Sequence, residues 1–94
     1  MLRTTIDTLR NFWAMENTRG FRRQMYMKRT ILEDMSERFV DACEIIIGCD
    51  DYVIRNTLMN TLLDFASKYA DGMVPKNTVE GTAQFAMQMV EDIA

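Results

Sequence analysis

The sequence predicts an all-α protein, a small bundle of four main helices in one helical domain over residues 1–94. Three observations carry that prediction. Apolar residues recur at steps of three, four and seven, the period of a single helix face. No segment sustains the alternation of a half-buried strand. The breaks fall at short clusters of glycine, asparagine, aspartate and proline, the punctuation expected between helices.

The first helix carries Ile6, Leu9, Phe12, Trp13 and Met15 on a strongly apolar face. Thr4 or Thr5 is placed to cap it, with Asp7 near its positive end. Asn17-Thr18-Arg19-Gly20 reads as a break. The central region, Arg19 to Ile47, has an apolar stripe through Phe21, Met25, Leu32, Met35, Phe39, Ala42 and Ile46, interrupted only at Lys28. Within it Thr30-Ile31-Leu32-Glu33 has the form of a capping box, in which the threonine oxygen takes the Glu33 amide while that carboxylate reaches back. The region is therefore one long helix, or two hinged near Thr30, in which case the bundle has five helices.

Gly48 suits the left-handed residue past a helix end, and Asp50 suits the N-cap of the next. The third helix is expected over Asp51 to Ala70, with Ile54, Leu58, Leu62, Phe65 and Tyr69 on one face. A tight turn separates it from the central region, so the two are expected to pack as an antiparallel hairpin. Asp71-Gly72-Met73-Val74-Pro75 holds the usual stop signals. Asn77-Thr78-Val79-Glu80 resembles another capping box, and Val79, Ala83, Ala86, Val90 and Ile93 form a narrow stripe that permits close helix approach. The first and last helices are expected to pack on the hairpin or on a neighbouring chain.

Composition bounds the function. A chain of 94 residues is one domain with a thin core, which favours self-association. Uninterrupted apolar runs such as Ile45 to Ile47 are far short of the roughly 20 residues of a membrane span. No apolar segment near the N-terminus marks export, so a cytoplasmic location is the expectation and no membrane contact is foreseen. Two cysteines and no histidine do not make a zinc site. Core packing of Cys43 is favoured over a Cys43–Cys49 bridge. Neither a metal nor another cofactor is expected.

Without histidine, imidazole-based dyads and triads are excluded. The carboxylate groups Asp50/Asp51 and Glu33/Asp34/Glu37 are explained more simply by capping and a solvated face. The four glycines are too dispersed to cradle a phosphate. No catalytic residues are assigned, and the chain is not expected to be an enzyme.

Charge is unevenly distributed behind a net −3. Residues 1–29 hold seven basic side chains against two acidic ones, whereas residues 30–94 hold four against twelve. If residues 19–29 are helical, Arg19, Arg22, Arg23, Tyr26 and Arg29 share one broad polar face with Lys28 beside it. Such a face can hold phosphates through guanidinium contacts, with an aromatic ring on which a base stacks. In the competing account Phe12, Trp13, Phe21, Met35 and Phe39 are core or interface anchors, and the arginines pair with Glu33, Glu37 or a neighbouring subunit. The acidic pI of about 4.8 argues against a typical nucleic-acid-binding domain.

Nine methionines, most of them beyond the first helix, suit a small helical protein that adapts to a partner surface. Mimicry of nucleic-acid charge is a further expectation, and it requires Asp41, Glu44, Asp50, Asp51 and Asp64 to be exposed together. The motifs resemble no particular family. The functional expectation is a non-enzymatic regulatory or inhibitory protein that forms a homo-oligomer and binds a protein partner. The alternative is a module holding nucleotide or nucleic acid on residues 19–29.

Overall fold

A computed structural model describes residues 1–93, and its secondary structure is helical with connecting turns. In order they are α1 (Leu2–Ala14), α2 (Thr18–Met27), α3 (Arg29–Met35), α4 (Glu37–Ile47), α5 (Tyr52–Ala70) and α6 (Lys76–Ile93). The all-α expectation holds. The count is six helices among the described residues rather than four or five.

The difference lies in the central region, which is broken twice and not at Thr30. The first break is Lys28 (φ −107°, ψ 14°), the residue that interrupts the apolar stripe. The second is Ser36, extended at φ −173° and ψ 126°, whose hydroxyl accepts a 3.3 Å hydrogen bond from the Phe39 amide. Ser36 is almost completely buried, so this cap lies within the packed interior. The Thr30 capping box does not form, because Thr30 already lies inside α3 and the Glu33 carboxylate turns to Arg29 at 2.6 Å.

Other caps shift in the same way. Asn17 caps α2, accepting from Gly20 at 2.8 Å. Asp51 rather than Asp50 caps α5, accepting from the Ile54 amide at 3.0 Å. Neither Thr4 nor Thr5 caps α1, which begins at Leu2 with no side-chain cap and no acid in its first turn. Asn77, the cap position of the expected second capping box, lies within α6, which already begins at Lys76.

Two helices end in Schellman motifs. At the end of α5, the Met73 amide bonds to the Lys68 carbonyl and the Gly72 amide to that of Tyr69, with Gly72 at φ +74°. At the end of α1, the Asn17 amide bonds to Phe12 and the Glu16 amide to Trp13, but the left-handed position belongs to Glu16, at φ +53°. Gly48, expected in that conformation, is right-handed at φ −80°.

Side-chain neighbours define the helix directions. Lys76 Nζ donates to the Asp34 carbonyl at 3.4 Å, and Arg38 and Glu80 share a surface depression, so α4 and α6 start at the same end. Gly48, Asp51, Val90 and Ile93 share another, so they also finish together. The short links before and after α5 then make it antiparallel to both. The expected hairpin partner α5 does contact α4, but α4 packs most extensively against α6. The small residues Val79, Ala83 and Ala86 are fully or almost fully buried, and they allow that approach. Arg3 pairs with Asp71 at 3.3 Å at one end of α1, while Trp13 meets Arg55 at the other, so α1 also runs antiparallel to α5.

Trp13, Phe21, Met35 and Phe39 are buried in the core, and Phe12 is half-buried against it. The Trp13 and Phe21 rings meet edge to face at 5.1 Å. Gly20 makes room for this docking, since a Cβ there would lie 2.5 Å from the Phe12 ring. Both cysteines are free and buried. Burial pushes the Cys43 thiol well above its ordinary pKa, and the nearby Glu44 charge acts in the same direction. Among the described residues, no helix is long and apolar enough to cross a membrane.

Candidate functional site

Helix α2 projects a basic face because Phe21 and Met25, four residues apart, anchor its other side in the core. Arg19, Arg22 and Arg23 are exposed, and none makes an ion pair among the described residues. Tyr26 is 80% exposed beside them.

Arg29 differs from these three. Its Nε lies 2.6 Å from a Glu33 oxygen and its Nη1 3.0 Å from Glu44 Oε1, so it bridges α3 to α4. These two hydrogen bonds, Glu44 first and then Glu33, raise the pKa of its guanidinium. The pairing expected of the arginine cluster is thus realised at one position, with Glu33 as anticipated and Glu44 in place of Glu37.

A cavity of about 330 Å³ opens at this junction, lined by Arg22, Met25, Tyr26, Arg29 and Glu44. It unites three of the six candidate anion-binding residues. Arg19 and Arg23 lie outside its lining. Lys28, half-buried at the kink, instead lines a depression with Met1, Thr4, Thr8 and Ile31. Met25 and Glu44 complete the cavity, yet neither stood out in sequence. Met25 looked like ordinary core, and Glu44 is fifteen residues from the arginine it holds.

A second polar constellation had no local sequence signal. The Arg55 guanidinium lies 5.3 Å from the Trp13 ring centroid and 5.2 Å from that of Tyr52. Its Nε is buried without a hydrogen-bond partner among the described residues. Tyr52 donates its hydroxyl proton to the Glu16 carboxylate in a hydrogen bond. Together these contacts fasten the end of α1 to the start of α5.

Of the five acids expected to be exposed together, Asp41, Glu44, Asp50 and Asp51 are exposed and Asp64 is half-buried, and two of them carry cationic partners. Glu44 is turned to Arg29, and Asp64 pairs with Lys68 at 3.2 Å beside a depression lined by Arg10 of α1. Among the described residues no group of three or more His, Cys, Asp or Glu side chains is placed to hold a metal ion. No protein-family model, curated protein or solved structure matches the chain.

Proposed function

We propose that this chain is a non-enzymatic regulatory protein that self-associates and binds a protein partner. Support comes from one end of the bundle, where α1, α4 and α6 finish and α5 begins. Val53 is 71% exposed there and Met15 68% exposed, with Tyr52 and Ile93 also facing solvent. Large apolar side chains gathered in one region are the usual mark of an interaction surface. Helix α2 starts at the same end, so its unpaired arginines flank the apolar residues. The complementary partner is a surface with an apolar centre and acidic margins, which residues 30–94 of a second copy also supply.

Light scattering on size-exclusion peaks, over a range of concentrations and at two salt levels, tests this. The wild-type chain is expected above its 11.0 kDa monomer mass. Met15→Asp with Val53→Asp should drive it to monomer without lowering its melting temperature. Arg22→Glu with Arg23→Glu should weaken the assembly most at low salt, where exposed charges are least screened. A chain that is monomeric throughout, and whose captured proteins are unchanged by these variants, would overturn the proposal.

A further inference from the structure

We propose that the cavity between α2, α3 and α4 is a binding site for a nucleoside monophosphate whose base carries an exocyclic amine. The site shares Arg22 with the margin of the bundle-end surface, but its other lining residues lie outside that surface and it does not depend on self-association.

The cavity is bipolar. At one end the Arg22 guanidinium is exposed and has no carboxylate partner among the described residues, so its donors are open to an anion. At the other end Arg29 is occupied by Glu33 and Glu44, which neutralises it as an anion site. The same pairing fixes Glu44 in place. One of its oxygens bonds to Arg29, and the carboxylate has further acceptor capacity for a ligand donor. Between the ends lie the buried Met25 side chain and the exposed Tyr26 ring, a thioether and an aromatic surface against which a flat group can pack.

Spacing decides among ligands with an anion, a ring and a donor. Arg22 lies on α2 and Arg29 on α3, seven residues apart across the Lys28 kink, and Glu44 faces Arg29 from α4, so the open guanidinium and the acceptor belong to opposite sides of that kink. A zwitterionic aromatic amino acid has its carboxylate and ammonium on one carbon and cannot reach both ends. A nucleoside monophosphate has its phosphate and base amine at opposite ends of the molecule. The volume of about 330 Å³ is near the lower limit of small-ligand pockets, roughly 300 Å³, and suits one nucleotide rather than a strand. In the bound arrangement Arg22 takes the phosphate, Tyr26 stacks on the base, and Glu44 accepts a hydrogen bond from the amine. Arg29 acts as a positioning residue for Glu44.

Calorimetric titration of the full chain with adenosine monophosphate, inosine monophosphate, inorganic phosphate and a short single-stranded oligonucleotide tests the proposal. Adenosine monophosphate is expected to bind one per chain, about tenfold more tightly than inosine monophosphate, which replaces the amine by a carbonyl; tenfold corresponds to about 1.4 kcal/mol. Arg22→Gln and Tyr26→Ala should each weaken binding about tenfold or more, and Glu44→Gln should erase or reverse the preference over inosine monophosphate. Arg10→Gln, away from the cavity, should change nothing. Arg22 and Tyr26 are exposed, so an unchanged melting temperature will show that these variants fold.

Three outcomes overturn the site: no heat with any nucleotide, phosphate binding as tightly as adenosine monophosphate, or the oligonucleotide binding far more tightly than the mononucleotide. Loss of self-association with nucleotide binding intact would remove only the function proposed for the bundle end. The reverse result would remove only this site.

Discussion

Residues 1–35 and residues 36–93 reach a helical structure by different means. In the second part, α5 and α6 are long enough for local stop and start signals to operate, and Ser36, Asp51 and Gly72 each make the hydrogen bond or turn their chemistry allows. In the first part, α2 has 10 residues and α3 has 7, below the roughly 12 at which an isolated helix is even marginal. They persist because Phe21, Met25, Leu32 and Met35 are buried against the rest of the molecule. The long helices supply the frame. The short ones place arginines at chosen points on it, and the kink at Lys28 lets Arg29 face Glu44 while Arg22 stays open.

The largest test of this contrast truncates one aromatic in each part. Phe21→Ala and Phe39→Ala should each lower stability by about 3 to 5 kcal/mol, measured by denaturant unfolding. Hydrogen exchange should then separate them. Phe21→Ala should expose the amides of α2 and α3 first, with α5 and α6 still protected, whereas Phe39→Ala should weaken protection throughout. Uniform loss in both variants would mean that the two parts form one cooperative unit.

Next in size is Gly20→Ala. The added methyl meets the Phe12 ring at 2.5 Å and the Asn17 cap amide at 2.8 Å, and relieving that overlap should cost about 1 to 3 kcal/mol in a thermal or denaturant melt. Gly81→Ala is the control: nothing lies within 4 Å of its Cβ position in α6, so the change should stabilise the protein by about 0.5 to 1 kcal/mol.

Cys43 makes the core sensitive to alkali. Its thiol ordinarily ionises near pH 9.0, and burial holds the folded-state pKa above that. The unfolded chain releases this proton at lower pH than the folded chain does. The thiol's contribution to stability is therefore complete below the unfolded pKa, and it declines as pH rises above it by up to about 1.4 kcal/mol per unit. Denaturant melts across this range should show a shallower decline in Cys43→Ala than in wild type.

The smallest effects concern the two rival helix starts. Ser36→Ala should cost about 1 kcal/mol, the usual value of an N-cap, and Thr30→Ala at most a few tenths, because Thr30 caps nothing. Equal losses in thermal melts would return the break to Thr30.

Much of the fold was legible because helical periodicity is a local property. The expected third helix, Asp51 to Ala70, differs from α5 by one residue, and four of the five anchor residues lie in the core. The candidate site was half legible. Arg22, Tyr26 and Arg29 were recognisable from a helical spacing that continues across the Lys28 kink, but spacing could not separate them from Arg19, Arg23 and Lys28. That separation depends on Glu44 arriving from another helix.

The sequence by itself determined an all-helical chain, its apolar faces and the segregation of basic residues near the N-terminus. These follow from side-chain type and interactions within about four residues. Tertiary structure decided which capping residues are used, that α6 is the main partner of α4, and that Arg55 lies between Trp13 and Tyr52. Thr30 and Ser36 are both chemically able to cap a helix. The choice between them comes from where the packed core lets each helix end, a constraint set by residues distant in sequence.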